Sequence, residues 1–354
     1  MHRLSDNAYQ WDISYLCDLP LVWDSLDGRT VAVSGATGMI GTVLVDALMA
    51  KRSRGLNVNV LALGRNEARA RKRFPYFGEP GFSFEELDIC GQGSTPSMPA
   101  DVAIHLASTT HPRAYATDPI GTIESNIGGL RNLLEHVEAS SSDPLFLFAS
   151  SVEVYGKGRG DVESFDESYS GDIDCCTLRA GYPEAKRLGE ALCLAHASQR
   201  GVRVKIPRLP RTYGPTLLPS DTKALSQFIH NALSSEDVVL KSEGRQVFSY
   251  LHVTDTVAGL LWVLLKGEDG VAYNVADPGS DVALRDLAGM IASIGGVEVR
   301  FDLPDAVERA GFSTADRAVM DSSRLKALGW TARYDIRSGL EMTMKALREL
   351  SEVE

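Results

Sequence analysis

The chain has 354 residues, 44% hydrophobic and 23% charged, enough to bury a large core in two domains or in one α/β domain with an attached lobe. Its formal net charge of −11 argues against non-specific nucleic-acid binding, and no apolar run reaches the ~18 residues of a membrane span. The opening MHRLSDNAYQWD lacks the apolar centre of a signal peptide, and the five cysteines (Cys17, Cys90, Cys175, Cys176, Cys193) have no metal-ligand spacing, so reduced thiols in a cytoplasmic, metal-free protein are expected.

Residues 1–28 precede the first strand. Trp11, Ile13, Leu16, Leu19, Leu21, Val22 and Trp23 make them too apolar for a disordered tail, so short helical pieces docked on the body are expected, ending in an Asp27-Gly28 turn. The VAV run at 31–33 reads as a buried strand. Gly35, Gly38 and Gly41 follow at a spacing of three, and Val43, Leu44, Ala47 and Leu48 then recur at helical spacing. A strand, a glycine turn and a helix opening together form a dinucleotide site. Glycine lets the backbone turn sharply and lets a diphosphate approach, and the helix N-terminus offers free N–H groups and a positive dipole end. Gly35, Thr37, Gly38, Met39, Ile40 and Gly41 are the candidate cradle.

A second strand at 58–63 ends at Gly64-Arg65-Asn66. An acidic residue near this point would hold the ribose hydroxyls of NAD, and none stands here. Arg65 can instead meet a 2′-phosphate or lie flat on adenine, which leaves NAD versus NADP open. Strands are expected at 84–87, ending in Asp88-Ile89, and at 102–106, running into Ala107-Ser108-Thr109. Ligands of open α/β sheets bind at the carboxyl ends of strands, so Asp88 can accept from the adenine amino group. Leu106, Ala107 and Ser108 can line the nicotinamide side.

A long helix at 120–137 carries Asn126, and a strand at 146–149 delivers Ser150, Ser151 and Glu153. A helix at 178–196 carries Tyr182 and Lys186, and a strand at 202–206 runs into RLPRTYGP (208–215). Strands alternating with helices argue an α/β fold, a doubly wound parallel Rossmann sheet over 29–207 covered on both faces. Beyond Pro215 the pattern loosens into helices at 222–233, 254–266 and 284–294, strands at 238–240, 250–253, 272–275 and 297–301, and a last helix after Ser338. Residues 208–354 read as a smaller mixed α/β substrate lobe, with elements near 250–276 returning to the main sheet.

Tyr182 and Lys186 are four apart, so on a helix they share a face. A tyrosine is a poor base at neutral pH because its ordinary pKa is about 10. A neighbouring ammonium stabilises the phenolate. With Ser151 hydrogen-bonded to the same reacting hydroxyl, the three can move a proton to or from an alcohol while a nicotinamide moves a hydride.

Taken in order, SGATGMIG (34–41), SSVEVYG (150–156), GYPEAKR (181–187), RLPRTYGP (208–215) and YLHVTD (250–255) resemble an extended short-chain dehydrogenase/reductase of the NAD-dependent epimerase/dehydratase family, over roughly residues 29–345. The resemblance implies Tyr182 as base, Lys186 as its activator and ribose ligand, Ser151 as hydroxyl partner, and Asn126 as the group ordering the proton path. It implies NAD, contacted also by Ile89, Ala149 and Leu209, a nucleotide-sugar substrate oxidised transiently at C4, and a homodimer packed through the helices bearing Asn126 and Tyr182. In the 4,6-dehydratases an Asp-Glu pair follows the Ser/Thr, whereas Val152 and Glu153 stand here. The Ser-x-Glu arrangement, with ASTTHPRAYATDPIGTIESN before it, looks closest to UDP-glucuronate decarboxylases. Glu153 is then a fourth catalytic candidate, abstracting a proton beside the C4 ketone or orienting the sugar. Phe248 stands near the place where relatives carry a diphosphate-clamping arginine, and Arg211 or Arg245 can restore that contact. The rival readings are an NADP-dependent sugar reductase and a cofactor-sensing binding protein without chemistry.

Overall fold

The computed structural model describes residues 3–110, 115, 117–302 and 315–351. Helix α1 (Asn7–Cys17) leads to β1 (Thr30–Ser34), α2 (Met39–Ser53), β2 (Asn59–Gly64), α3 (Glu67–Arg73), β3 (Phe82–Glu86) and β4 (Val102–His105). There follow α4 (Pro119–Ser140), β5 (Leu145–Phe148), β6 (Ser150–Ser151), α5 (Gly181–Arg200), β7 (Arg203–Leu209), β8 (Arg211–Tyr213), α6 (Ala224–Leu233), β9 (Val238–Leu240) and β10 (Val247–His252). The chain continues with α7 (Val253–Lys266), β11 (Ala272–Asn274), β12 (Asp281–Ala283), α8 (Leu284–Gly295), β13 (Val299–Phe301), β14 (Arg317–Ala318), α9 (Ser323–Ala327) and α10 (Ile336–Ser351).

The main sheet runs β11-β7-β5-β4-β1-β2-β3, all parallel, with β6 beside β7. Parallel strands covered on both faces must be apolar on both. Val31, Ala32, Val33, Ile104, Phe146 and Leu147 are accordingly at most 1% exposed. One face packs on α1, α2 and α7 through Tyr9, Ile13, Val43, Leu44, Leu260 and Leu261. The other takes α4 and α5 through Leu130, Leu133, Val137 and Cys193. A second sheet, β12-β10-β14 with β8 beside β10, and the β9–β13 pair pack on α6, α8 and α10 through Phe228, Ile229, Leu287, Ile291 and Leu340.

Several boundaries differ from the sequence expectation for identifiable reasons. Strand β7 continues past Pro207 to Leu209, because Pro207 falls where β5 has stopped pairing at Lys205 and β6 starts at Arg208, so no ladder donor is lost on that side. The helix expected from 178 is a 3-10 turn (Leu178–Ala180) followed by α5, whose third residue, Pro183, lies where no intrahelical N–H is needed. Helix α10 starts before Ser338, since the Asp335 carboxylate accepts from the Ser338 N–H at 2.8 Å as an N-cap. Strand β10 belongs to the smaller sheet, whereas α7 and β11 join the main one.

At the N-terminus Asp6 caps α1, accepting from the Tyr9 N–H at 2.7 Å. The buried Asp46 of α2 accepts from Arg3 at 2.9 Å, from the Tyr9 hydroxyl at 2.6 Å and from the Tyr76 hydroxyl at 3.0 Å. Asp12 of α1 accepts from the Tyr334 hydroxyl at 2.6 Å and the Thr254 hydroxyl at 3.0 Å. Such fully partnered buried carboxylates fix the segment in one position.

Candidate active site

The glycine loop joins β1 to α2 at the carboxyl edge of the main sheet. Gly35 has φ +68°, and a Cβ there would fall 2.8 Å from the Ala107 nitrogen. A Cβ on Gly41 would fall 2.3 Å from the Gly35 carbonyl oxygen. Only glycine lets the helix start sit this close to β1 and β4. Gly38 occupies the N-cap of α2 and offers no side-chain acceptor, so the first-turn N–H groups at Met39, Ile40 and Gly41 are uncapped by any side chain. Thr37, Gly38, Met39 and Ile40 are half-buried. A tight backbone cradle under an uncapped, 15-residue helix fits a dinucleotide diphosphate.

The rim residues take distinct positions. Arg65 is exposed beyond β2 and lies near Cys90, whose thiol it influences. The Asp88 carboxylate is exposed and accepts from the Cys90 N–H at 3.2 Å, and the buried Ile89 gives its carbonyl to Asn132 at 2.7 Å. Leu106, Ala107 and Ser108 form a half-buried ledge beyond β4, where the Ala107 N–H donates to Ser34 at 3.3 Å. The Ser108 hydroxyl donates to the Asn126 side-chain oxygen at 2.7 Å, and the Asn126 amide donates to the Thr122 carbonyl at 2.8 Å. Ala149 and Leu209 are buried at the ends of β5 and β7. Residues 111–114 and 116 of the ASTTHPRAYATDPIGTIESN stretch lie outside the described residues.

Tyr182 and Lys186 project from the first turns of α5 and are 6% and 3% exposed. Burial pushes the Tyr182 phenol up to about 12, against hydrogen bonding by Ser151 and Ser108 that pulls it down. Glu153 also raises it, and Arg179 lowers it. Lys186 Nζ lies 5.8 Å from the Tyr182 ring centroid and donates to the Ala149 carbonyl at 3.0 Å. Burial lowers its pKa to about 8. The i, i+4 geometry therefore stands, and Arg179 is a further cation whose charge lowers the phenol. Ser151 ends β6 and caps the 3-10 turn Val152–Tyr155, accepting from the Glu153 N–H at 3.2 Å. This turn aims Glu153 toward the 3-10 turn before α5, where its carboxylate meets Arg179 Nη2 at 2.8 Å.

On the lobe side, the Arg211 guanidinium lies 3.5 Å over the ring of the buried Phe248, and its Nη1 is buried with no hydrogen-bond partner. Arg245 is not brought to them. Its side chain is 77% exposed and paired with its near neighbour Glu243 at 2.7 Å. Sequence reasoning did not single out Arg179 or Tyr115. Tyr115 stacks on Tyr182, with centroids 5.0 Å apart and planes at 22°, and the Arg179 guanidinium carbon lies 4.7 Å over the Tyr115 ring. The available signal for Arg179 was its place three residues before Tyr182, one helical turn away. Also unforeseen is the Arg208–Glu190 ion pair, 2.7 Å, with Arg208 Nη1 donating to the Tyr155 hydroxyl at 3.0 Å. It ties β7 and α5 to the Glu153-bearing turn.

The family model for the NAD dependent epimerase/dehydratase family matches residues 31–276. A UDP-glucuronic acid decarboxylase 2 from Arabidopsis thaliana is 28% identical over 323 residues, 91% of this chain and 69% of that protein. Among solved structures, a dTDP-glucose 4,6-dehydratase from Streptomyces venezuelae with NAD bound superposes with a TM-score of 0.76 at 23% identity, covering 91% of this chain and 98% of the other. A UDP-glucose 4-epimerase from Thermotoga maritima with UDP-glucose has a TM-score of 0.76 at 22% identity, covering 91% and 99%. Both structures share this fold.

Proposed function

This chain belongs to the NAD dependent epimerase/dehydratase family, and from that premise we propose that it converts a nucleotide sugar through transient oxidation at C4 to a 4-keto sugar. The observation that carries the reading is the buried phenol of Tyr182, set among Ser108, Ser151 and Lys186 at the same sheet edge as the glycine cradle. Gly35, Thr37, Gly38, Met39, Ile40 and Gly41 would hold the NAD diphosphate. Arg65, Asp88 and Ile89 would meet its adenosine end, and Leu106, Ala107, Ser108, Ala149, Leu209 and Lys186 its nicotinamide end. Bound there, NAD supplies the hydride acceptor that C4 oxidation requires.

Tyr182 takes the proton of the C4 hydroxyl, and Ser151 orients that hydroxyl by hydrogen bonding. Burial alone makes the phenol a weak acid, so positive charge near it is needed to make it an effective base. The Lys186 ammonium, fixed by the Ala149 carbonyl, is placed to hold a cofactor ribose hydroxyl as well. Ser108 and Asn126 extend the hydrogen-bonded path away from the phenol. Arg211 offers an unpartnered N–H to a substrate phosphate or sugar oxygen.

A second reading, decarboxylation of a nucleotide-linked uronic acid, is favoured by one feature. Val152, buried at 5% exposure, takes the place of the first acid of the dehydratase pair, while Glu153 remains beside Tyr182. A site with one carboxylate can abstract or position but has no second acid for expelling water.

Tyr182→Phe is expected to cut turnover by roughly 10²–10⁴-fold while NAD binding, followed by fluorescence quenching, stays unchanged. A panel of UDP-, dTDP-, CDP- and GDP-sugars, including uronic acids, with product masses distinguishes the outcomes. Full activity in the variant, or no turnover of any member by the wild type, overturns the reading.

A homodimer is part of the proposal. Ile120 (69% exposed) and Ile123 (43%) on α4 and Leu188 (54%) on α5 leave exposed apolar side chains on this helix pair. A second copy would cover it as a four-helix bundle. No described helix is long and apolar enough to cross a membrane. The cysteines at 17, 90, 175, 176 and 193 are all free, which fits a reducing, cytoplasmic setting.

A further inference from the structure

Arg179 is not accounted for by the chemistry above. It lies in the 3-10 turn before α5, 12% exposed, with Nη2 at 2.8 Å from the Glu153 carboxylate. Its guanidinium carbon is 4.7 Å over the Tyr115 ring. Tyr115 in turn stacks on Tyr182 at 5.0 Å. Its Nε and Nη1 are buried with no hydrogen-bond partner. A planar, permanently charged group is thus sandwiched between the acid and the aromatic ring that flanks the base. A buried guanidinium with unmatched N–H groups is costly to keep, so its position calls for a compensating role.

We propose that Arg179 is the positioning residue of this site: one edge of its guanidinium fixes Glu153, and its face, through Tyr115, fixes the plane of Tyr182. Arginine suits both tasks, since it can donate to a carboxylate in plane and stack out of plane at once. Lysine can supply the charge but not the stacked plane.

The same placement balances charge at the base. The groups facing Tyr182 are Ser151 and Glu153 from the 3-10 turn, Arg179 from the turn before α5, Ser108 from the ledge after β4, Tyr115 stacked on its ring, and Lys186 on its own helix. Glu153 raises the Tyr182 phenol and Arg179 lowers it, and Tyr115 feels both in the same sense. Removing Arg179 leaves an uncompensated carboxylate facing two phenols. The acidic limb of kcat/KM, where the base must lose its proton, then moves to higher pH.

The test compares wild type with Arg179→Gln, Arg179→Lys and Arg179→Gln/Glu153→Gln, all loaded with NAD. In Arg179→Gln the acidic limb moves up by about one pH unit, and kcat/KM below it falls roughly tenfold with little change in KM. Arg179→Lys keeps the limb within about half a unit of wild type. The double variant returns the limb toward wild type, because the carboxylate that needed balancing is gone. A crystal structure of NAD-loaded Arg179→Gln shows Glu153 and Tyr115 displaced. A uniform loss of activity at every pH, or a Glu153 and Tyr115 arrangement unchanged in that structure, overturns the proposal. The kinetic arm rests on the proposed C4 chemistry, and the crystallographic arm does not. Absence of any wild-type turnover would sink the chemistry alone and leave the positioning role to be judged by the structure.

Discussion

Asp255, in the first turn of α7, shows what burial does to a single side chain. It is fully buried, accepts from the backbone N–H groups of Arg333 at 2.7 Å and Tyr334 at 3.1 Å, and yet burial, with Asp12 nearby, pushes its pKa up to about 7. The folded state therefore holds this proton more tightly than the unfolded chain, where a carboxyl titrates near 3.9. The contribution is fully present below the unfolded value and is lost as pH rises through about 7. Between these limits the urea midpoint of the wild type should fall with rising pH, and Asp255→Asn should flatten that slope. Part of it will persist, because burial also raises Asp281, to about 6, with the same sign.

Ser151, Tyr182 and Lys186 were expected together from a strand end and one helix face, and Glu153 from the family resemblance, because local spacing carries the first three. Arg179 left only its place one turn before Tyr182, and Tyr115 no trace, because the contacts among residues 115, 179 and 182 are tertiary. Arg211 and Phe248 were each singled out in sequence, but as separate candidates, Phe248 near a clamping arginine's place and Arg211 as a substitute for it. Only the pairing of β8 with β10 reveals that the guanidinium lies on the ring.

For the elements, the decisive contact is that of α2 against β1. A methyl group at Gly41 would meet the Gly35 oxygen at 2.3 Å and the Ala36 Cα at 2.8 Å, both backbone atoms that cannot rotate away. Gly41→Ala should therefore lower stability by about 1–3 kcal/mol, read by thermal unfolding. It should also weaken NAD binding at least tenfold by calorimetry, since the helix start must tilt off its strand. Long periodic elements such as α2, α4 and α7 were readable because each turn repeats the signal. Strands β8, β12 and β14, two or three residues long, carry too few alternations to register. Pro207 argued for ending β7 early, and only the staggered positions of β5 and β6 show why it did not.

Across the whole molecule, alternating strand and helix patterns announced a parallel sheet covered on both faces, and the main sheet has that form. The order of strands in the smaller sheet was not legible, because β10 finds partners from three separate parts of the chain, β8, β12 and β14. The exposed apolar side chains of α4 and α5 give a prediction for the assembly. Leu188→Glu should convert the proposed dimer to a monomer in sedimentation velocity while leaving the thermal midpoint of the isolated chain nearly unchanged.

The Asp12 carboxylate on α1 is satisfied by hydroxyls from Thr254 and Tyr334, the latter 322 positions further along. During synthesis, then, helix α1 must wait for the stretch around Tyr334 before its acid finds both partners. Until that moment it carries a polar group it cannot yet bury, and the newborn chain keeps this corner open to water, chaperones and proteases. Emergence of the stretch around Tyr334, rather than of the main sheet, closes this corner of the protein.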